Sequence, residues 1–335
     1  MPEVSILIVT WNSRASVEKC LTSLFGRPCK RSFEVIAADN GSSDGTAEFI
    51  SSTWPQARVL QTGRNLGFAP AMNLAQRQAE GRYLFWLNPD TVAGPGAVDK
   101  LADFLDLHPE VGAAGPLLFE SEIQRAAFCA RQFPNLTNAF LRHFGLRWLT
   151  GGKGFWGQET FEVGEVPVAV DCLSGAAMMV RRELADRIGS IDETIPMYLE
   201  DMDYCARIAA AERSIYCVPS ARMFHEGGHS SAQSSFKAVL HAMEDGHAPM
   251  LFIRKFHSTS ASNAFRSIVF LGNILRLVVG CFGFLVRGRT ALLQRSANLV
   301  LWAITPSRVF EAKVAQQFCD AGSPAPDREM QERIA

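Results

Sequence analysis

Short apolar segments alternate with amphipathic segments along the first third of the chain. The apolar segments are residues 4–10, 33–38, 57–62 and 82–87, and their β-branched and aromatic residues are typical of buried strands. Between them, apolar residues recur every three or four positions, as they do on one face of a helix. This alternation predicts the α/β class, with a mostly parallel sheet flanked by helices.

Polar side chains directly follow three of these predicted strands. They are Thr10 and Asn12 after the first strand, Asp39 and Ser42 after the second, and Asn88 and Asp90 after the fourth. Ligands of open parallel sheets bind outside the carboxyl ends of the strands, so we expect these side chains to line a ligand site. Asp39 is suited to accept a hydrogen bond from the N3–H of uracil or thymine, because a carboxylate offers only acceptors. An ordinary turn with a helix cap is the alternative for residues 39–45.

The C-terminal part of the chain has a different composition. Residues 246–310 contain eight Lys or Arg and no Asp or Glu, and they include the apolar runs 268–286 and 297–304. The longer run approaches the ~20 residues that cross a bilayer, but Asn273 and Arg276 lie in its middle. We favour amphipathic helices in the membrane interface, with arginines meeting anionic head groups. A helical pair packed on the main domain or on a second subunit, and a true membrane span, are the alternatives.

Cysteine usage and the N-terminus favour an intracellular protein. Eight cysteines occur without any Cys-x-x-Cys pair, which favours reduced thiols over a disulfide framework or a zinc site. No basic region precedes the first apolar run, so we expect no signal peptide. The sequence has no Walker loop, no Gly-x-Gly-x-x-Gly after a strand and no basic stripe in its core. It therefore argues against a kinase, a dehydrogenase or a nucleic-acid-binding protein.

Seven motifs resemble, in their order, those of glycosyltransferase family 2. The motifs are ILIVTWN, VIAADNGSSDGT, GRNLGFAPAMN, FWLNPDT, CLSGAAMMVRRE, GSIDETIPMYLEDMDYCAR and FHEGGHS. The match extends over about residues 3–255 and looks most like the rhamnosyltransferase branch of this inverting, GT-A-fold family, which acts in bacterial cell-surface polysaccharide assembly. The resemblance implies transfer of a sugar from a nucleoside diphosphate donor to an acceptor hydroxyl, with Mg²⁺ or Mn²⁺ on the diphosphate.

The resemblance assigns the chemistry to acids in two separate motifs. Asp90 matches the last acid of the family's Asp-x-Asp motif, which contacts the metal, while Asn88 replaces the first acid and is expected to contact the donor. One carboxylate is sufficient, because such ions keep water and phosphate oxygens as further ligands. His225 matches a histidine that reaches the metal or the diphosphate. Asp201, the second acid of a Glu-Asp pair, matches the base that takes the proton of the acceptor hydroxyl.

The remaining candidate residues bind substrates. Arg64 and Asn65 resemble the loop that approaches the donor, and Asn73 on the following helix is expected to brace that loop. The aromatic-rich residues 120–165 are expected either to contact acceptor or lipid, or to form an insertion packed on the core. The expected acceptor-binding residues are Ser174, Gly175 and Glu200.

Together these features predict an enzyme with an attached helical region. We expect a GT-A domain over residues 1–255, a basic, apolar membrane-associating region over 256–310, and a disordered polar tail over 311–335. The expected donor is dTDP-L-rhamnose, and the expected acceptor is a saccharide or a polyprenyl-diphosphate-linked saccharide at the cytoplasmic face of the inner membrane, where the enzyme is peripheral. The alternatives are a transferase that uses UDP-galactose, UDP-N-acetylglucosamine or UDP-galactofuranose, and a non-catalytic nucleotide-sugar-binding protein. A homodimer is also open.

Overall fold

The predicted alternation of strands and helices forms one large sheet with helices around it. A computed structural model describes residues 1–120, 125–126, 130–146, 149, 166–195, 199–226, 239, 242–287 and 290–320. The strands are β1 (Val4–Thr10), β2 (Phe33–Asp39), β3 (Ala57–Gln61), β4 (Tyr83–Leu87), β5 (Thr91–Ala93), β6 (Val111–Glu120), β7 (Arg125–Ala126), β8 (Ala130–Arg131), β9 (Val168–Ala169), β10 (Cys172–Leu173), β11 (Ala177–Arg181) and β12 (Ser214–His225). The first four agree with the predicted segments to within one residue.

Helices connect the strands and then continue beyond the sheet. They are α1 (Arg14–Phe25), α2 (Thr46–Thr53), α3 (Phe68–Gln78), α4 (Ala97–Leu107), α5 (Leu136–His143), α6 (Arg182–Ile188), α7 (Glu200–Ala210), α8 (Ala248–Phe256), α9 (Thr259–Arg287), α10 (Thr290–Ile304) and α11 (Ser307–Asp320). A π-helical turn, Met243–His247, leads directly into α8.

The sheet has a parallel half and a mixed half. Its strand order is β3-β2-β1-β4-β11-β6-β12-β5, and β1 pairs in parallel with both β2 and β4. β11 runs antiparallel to β4 and β6, and β5 runs antiparallel to β12. The prediction of a mostly parallel sheet flanked by helices is confirmed. A separate two-stranded sheet joins β8 to β10.

The central strand β4 anchors the core on both faces. All five of its residues are buried, as expected for a strand covered on both sides. The ring of Trp86 lies 4.6 Å from that of Tyr204, so β4 packs against α7. This contact fixes the first turn of α7 near the carboxyl end of the sheet.

The C-terminal helices pack on the rest of the chain through a second apolar cluster. The cluster joins Met250 and Ile253 of α8 to Phe265 and Val269 of α9 and to Trp302 of α10. It therefore contains residues on both sides of the predicted boundary at 255, which stays a prediction. The packing of this region corresponds most directly to the alternative of a helical pair on the main domain.

The two polar residues in the long apolar run of α9 face α5. Asn273 has no exposed surface, and its Nδ2 lies 3.0 Å from Nδ1 of His143. Burial, followed by the charge of Arg142, lowers the pKa of His143 to about 3, so the imidazole is neutral at this contact. A side chain at Gly272 would collide with the His143 backbone at 2.8 Å. Close helix packing, and not lipid, therefore surrounds this face of α9.

The expected contact with lipid head groups is wrong for three arginines of this region, Arg266, Arg276 and Arg295. Arg266 donates to the carbonyls of Ala303 and Thr305 at the end of α10. Arg276 donates to the carbonyl of Arg142. Carbonyls at helix ends lack partners within the helix, so these guanidinium groups are used inside the protein.

The opposite face of α9 is exposed and apolar. The exposed side chains are Leu271, Ile274, Leu275, Val278 and Val279, at the spacing of one helical stripe. By length and composition alone, one helix among the described residues is suited to cross a membrane, Thr259–Val279, and 28% of that window is buried. We call these five residues the α9 stripe.

The third of these arginines, Arg295, pairs with a buried acid. Asp245, only 3% exposed, accepts from Arg142 of α5 and Arg295 of α10. Burial disfavours its charge, but the two arginines more than offset that cost and lower the pKa of Asp245. A group with a depressed pKa stabilises the fold above its unfolded value, about 3.9, and this contribution is lost as the pH falls.

We predict that Asp245→Asn lowers the free energy of unfolding by about 2–3 kcal/mol at pH 7. Removing one partner of a fully buried ion pair lowers the free energy of unfolding by more than this. Arg295 is partly exposed, which reduces the effect here. Thermal unfolding at several pH values measures it, and the difference from wild type should begin to shrink near pH 4 and be lost as the pH falls through the depressed pKa of folded Asp245. Asp103→Asn, at an exposed acid, is the matched control. A loss equal to that of the control, or one that persists unchanged in acid, would contradict the role of the charge.

Candidate active site

The carboxyl ends of β1 and β2 meet at Asp39. Its Oδ1 accepts from the Thr10 hydroxyl at 2.9 Å and from the Ser42 hydroxyl at 2.6 Å, while its Oδ2 accepts from the Ser42 backbone N–H at 3.0 Å. These donors fix the rotation of a carboxylate that is only 3% exposed. Thr10 has no exposed surface, so its expected direct contact with a donor is wrong. It orients Asp39 instead.

Asn12 contacts the same group of residues from the β1 side. We call Thr10, Asp39 and Ser42 the Asp39 hub. The Asn12 backbone adopts φ +48°, which is uncommon for a residue with a side chain. In this conformation its N–H donates to the Ser42 hydroxyl at 2.9 Å, and its Oδ1 accepts from the Ser43 N–H at 2.9 Å. The exposed Asn12 and the half-buried Ser42 therefore lie together at the edge of the sheet, as expected.

The buried side-chain amide of Asn40 binds the loop at residues 64–67 to the Asp39 hub. Asn40 Nδ2 donates to Asn65 Oδ1 at 2.8 Å and to the Gly67 carbonyl at 3.0 Å, and Asn40 Oδ1 accepts from the Leu66 N–H at 2.7 Å. Asn65 thus braces the loop, and Arg64 is exposed beside it. Sequence reasoning missed Asn40, although an amide directly after the strand-ending acid is a usable signal.

Asn73 braces a different segment from the one expected. Its amide donates to the Ile191 carbonyl and to Glu193, both at 2.9 Å, and accepts from the Ile191 N–H at 2.9 Å. The prediction that it supports the Arg64 loop is therefore wrong. Asn73 joins α3 to the chain that follows α6.

Asp90 and His225 are brought together by a short strand that the sequence did not predict. β5 starts directly after Asp90 and pairs antiparallel with the end of β12, with Thr91 opposite His225. The Glu226 N–H donates to the Asp90 carbonyl at 3.0 Å, and Nε2 of His225 lies 3.2 Å from Oδ1 of Asp90. Both side chains are partly exposed.

A carboxylate oxygen and an imidazole nitrogen at this distance fit a divalent cation that completes its shell with other ligands. Among the described residues, no group of three or more His, Cys, Asp or Glu forms a closed metal site. Asp90 and His225 are therefore suited to an ion that brings phosphate or water oxygens with it. The part of the FHEGGHS motif after Glu226, including His229, lies outside the described residues.

The backbone of Asn88 connects this pair to the other reactive acid. Its N–H donates to the Ala176 carbonyl at 2.9 Å, which brings the small-residue turn at Ser174 and Gly175 beside it. The Gly175 N–H lies 3.4 Å from Oδ2 of Asp201, in the first turn of α7. Asn88, Ser174 and Gly175 are half-buried.

Asp201 is buried and held by three donors. Besides Gly175, its Oδ2 accepts from Nη2 of Arg131 at 2.9 Å, and its Oδ1 accepts from the Met202 N–H at 2.8 Å. The neighbouring Glu200 is half-buried, and burial, followed by the charge of Asp201, raises the pKa of Glu200 to about 7. The site therefore combines one carboxylate with a guanidinium partner and one that titrates near neutrality.

A model of the family described as Glycosyl transferase family 2 matches residues 5–189. The chain belongs to glycosyl transferase family 2, and it is a glycosyltransferase. N-acetylglucosaminyl-diphospho-decaprenol L-rhamnosyltransferase of Mycobacterium tuberculosis (strain H37Rv) is 34% identical over 245 residues, which cover 68% of this chain and 77% of that protein. The O-antigen biosynthesis protein RfbC of Myxococcus xanthus is 27% identical over 253 residues, 71% of this chain and 18% of that protein.

Solved structures of glycosyltransferases share the fold. GalNAc-T7 with UDP, GalNAc and Mn²⁺ superposes with a TM-score of 0.51 at 16% identity, over 72% of this chain and 50% of that one. The mannosyltransferase PcManGT from Pyrobaculum calidifontis, in complex with GDP-Man and Mn²⁺, gives a TM-score of 0.50 at 16% identity, over 90% of this chain and 86% of that one. At this identity the similarity shows the GT-A fold. The individual roles of the site residues in this family 2 enzyme stay predictions.

We predict that Gly41→Ala weakens binding of dTDP and UDP by about tenfold or more. Gly41 has φ +77°, and a Cβ there would lie 2.7 Å from the Arg64 backbone, so alanine must displace the loop that Asn40 holds. Titration calorimetry with each nucleotide measures the change.

Gly45→Ala is the matched control for Gly41→Ala. Its φ is +78°, but an added Cβ has nothing within 4 Å. Both variants should lose a similar ~1 kcal/mol of stability from the positive φ. Equal nucleotide affinities in the two variants would show that the close approach of the loops does not matter for binding.

Proposed function

We propose that this family 2 enzyme transfers L-rhamnose from dTDP-L-rhamnose to a polyprenyl-diphosphate-linked sugar, with inversion at the anomeric carbon. The M. tuberculosis relative supports the transferred sugar and the acceptor, because its name specifies L-rhamnosyl transfer to N-acetylglucosaminyl-diphospho-decaprenol. The observation that carries the proposal is the arrangement of the acids. The Asp90–His225 pair and the buried Asp201 are connected through the Asn88–Ala176 hydrogen bond.

The donor nucleotide binds at the Asp39 hub in this proposal. From the described residues, Oδ1 of Asp39 accepts two hydrogen bonds and Oδ2 accepts one, which leaves a lone pair on Oδ2 for the N3–H of thymine. Asn12, Arg64 and Asn88 approach the ribose and the diphosphate from the surrounding loops. Uracil presents the same N3–H, so this contact does not separate dTDP-sugars from UDP-sugars.

Asp90 and His225 would hold a divalent ion, Mg²⁺ or Mn²⁺, together with the donor. Such an ion would neutralise the negative charge that develops on the leaving diphosphate. The partly exposed positions of both side chains suit a site shared with a substrate.

Asp201 takes the proton of the acceptor hydroxyl as the new glycosidic bond forms. Ser174, Gly175 and Glu200 border the acceptor. In this proposal the base lies on the side of the anomeric carbon opposite the diphosphate, so displacement by the hydroxyl inverts that carbon.

The helical region 256–310 keeps the enzyme close to its lipid-linked acceptor. In this proposal the α9 stripe lies against the cytoplasmic face of the inner membrane, with its apolar side chains in the interface. Arg276, which donates to the Arg142 carbonyl at the end of α5, holds α9 on the catalytic part, so membrane binding orients the site toward the lipid.

A matched pair of variants tests the assigned roles. We expect Asp201→Asn to lower kcat by about 10²–10⁴-fold while donor affinity in the presence of Mn²⁺ is retained, because only the proton acceptor is lost. We expect Asp90→Asn to weaken Mn²⁺-dependent donor binding, because a metal ligand is lost. Assays use dTDP-L-rhamnose, with UDP-galactose, UDP-N-acetylglucosamine and UDP-galactofuranose as competitors, and a short-chain polyprenyl-diphospho-N-acetylglucosamine as acceptor.

Three outcomes of these assays count against the proposal. Near-normal turnover by Asp201→Asn would exclude this residue as the base. Preferred turnover of a UDP-sugar would replace the donor. Donor binding by the wild-type protein without turnover of any donor would favour a nucleotide-sugar-binding protein.

We predict that Leu271→Ser, Leu275→Ser and Val278→Ser together release the protein from vesicles that contain anionic lipid. Each substitution removes apolar area from the α9 stripe, at about 25 cal/mol per Å². Co-sedimentation measures binding, with Leu107→Ser, at an apolar and still more exposed position on α4, as control. Unchanged sedimentation would contradict a membrane role, and conversion of a dimer to a monomer would assign the stripe to a subunit contact.

A further inference from the structure

Arg131 reaches the candidate base from outside the main sheet. It lies in β8, whose only described pairing is with β10, where Arg131 stands opposite Cys172. Its Nη2 donates to Oδ2 of Asp201 at 2.9 Å, and the two side chains are 9% and 7% exposed. Because both partners are buried, this ion pair is screened far less than a surface pair.

The hydrogen bonds around Asp201 distinguish its two oxygens. Oδ2 accepts from Arg131 and from the Gly175 N–H, so both of its lone pairs are occupied. Oδ1 accepts from the Met202 N–H among the described residues, which leaves one lone pair. Oδ1 is therefore the oxygen with capacity for a new proton.

The charges near this pair oppose each other. Glu200 precedes Asp201 on α7, Cys172 lies on β10 with Cys205 of α7 beside it, and Glu244 comes from the π-helical turn. A guanidinium keeps its charge in proteins, so Arg131 supplies a lasting positive charge 2.9 Å from Oδ2 of Asp201. Burial works against Arg131, but the surrounding acids, Asp201 first, raise its pKa.

We propose that Arg131 is a positioning residue for the transfer reaction: its guanidinium holds Oδ2 of Asp201, so that Oδ1 is turned toward the acceptor hydroxyl. This inference rests on the proposed function, since it assumes that Asp201 is the base. As the acceptor oxygen bonds to the anomeric carbon, the bond to the nucleoside diphosphate breaks and the hydroxyl proton passes to Oδ1. Arg131 keeps its proton throughout.

Two substitutions separate the charge of Arg131 from its shape. Arg131→Gln removes the charge but keeps a polar side chain, and Arg131→Lys keeps the charge without the planar fork. Arg181→Gln is the matched control, because Arg181 donates to three backbone carbonyls at the opposite end of β11. The measurements are kcat and KM against pH with dTDP-L-rhamnose and the short-chain acceptor. Profiles are also recorded in Glu200→Gln, so that the ionisation of Glu200 is not mistaken for that of the base.

For Arg131→Gln we expect kcat to fall about 10²-fold with little change in donor KM. The acidic limb of its pH profile of kcat should move to higher pH by about 1–3 units, because the positive charge beside the carboxylate is lost. The kcat of Arg131→Lys should fall less than that of Arg131→Gln, and the acidic limb of its pH profile should stay where it is in the wild type. Arg181→Gln should lower the unfolding temperature without moving the limb. An unmoved limb in Arg131→Gln, or a defect mainly in KM, overturns the inference.

The same variants also test the inference if Arg131→Gln does not fold or if the chosen acceptor is not the natural one. If Arg131→Gln does not fold, Arg131→Lys decides the question. A wild-type kcat, or a defect mainly in KM, contradicts a positioning role. A lower kcat with an unmoved acidic limb of the pH profile supports it. Hydrolysis of the donor by water needs the same base and gives a second rate without acceptor. Wild-type failure in transfer counts against the proposed function, whereas an unmoved pH profile of hydrolysis in Arg131→Gln counts against this inference.

Discussion

The 2.9 Å hydrogen bond from the Asn88 N–H to the Ala176 carbonyl joins the two reactive parts of the site. It extends the β4–β11 pairing by one residue, so the chain toward Asp90 and the turn before Ala176 leave the sheet side by side. Gly175 in that turn contacts Asp201. Asp90 and, through Gly175, Asp201 are thereby both connected to one strand edge, which fixes their positions as the proposed single-step displacement requires.

The C-terminal helices contribute to this arrangement as well as to any membrane contact. Lys255 of α8 contacts Asp203 at 2.6 Å and Asp192 at 2.8 Å, so α8 is tied to the helix that carries Asp201. Gln132, directly after Arg131, accepts from Asn138 of α5 at 3.2 Å. Since α5 packs on α9, Arg131 is linked to a helix that the sequence assigned to a separate attachment, whereas Lys255 lies within the predicted GT-A domain.

Much of the parallel half of the sheet could be predicted, because strand and helix periodicity is written in consecutive residues. Asp90 and Asp201 could also be found, since each lies in a compact motif at the end of an element. Arg131 could not, because its partner is 70 positions away and no pattern around it predicts the small β8–β10 sheet. The inward-facing Arg276 is a similar case: composition indicates a basic helix, but only tertiary packing decides what each guanidinium contacts. Thr10 ends a strand as predicted, yet its burial depends on the neighbouring strands.

The roles proposed for Asp90 and Asp201 have a direct chemical consequence, because a base opposite the leaving group permits only attack from behind the anomeric carbon. The most direct measurement is the anomeric configuration of the product by NMR, with purified protein, dTDP-L-rhamnose, Mn²⁺ and the short-chain polyprenyl-diphospho-N-acetylglucosamine. We expect one added deoxyhexose whose glycosidic bond has the configuration opposite to that of the donor. A product with the donor's own configuration would contradict the assignment of Asp201 as the base.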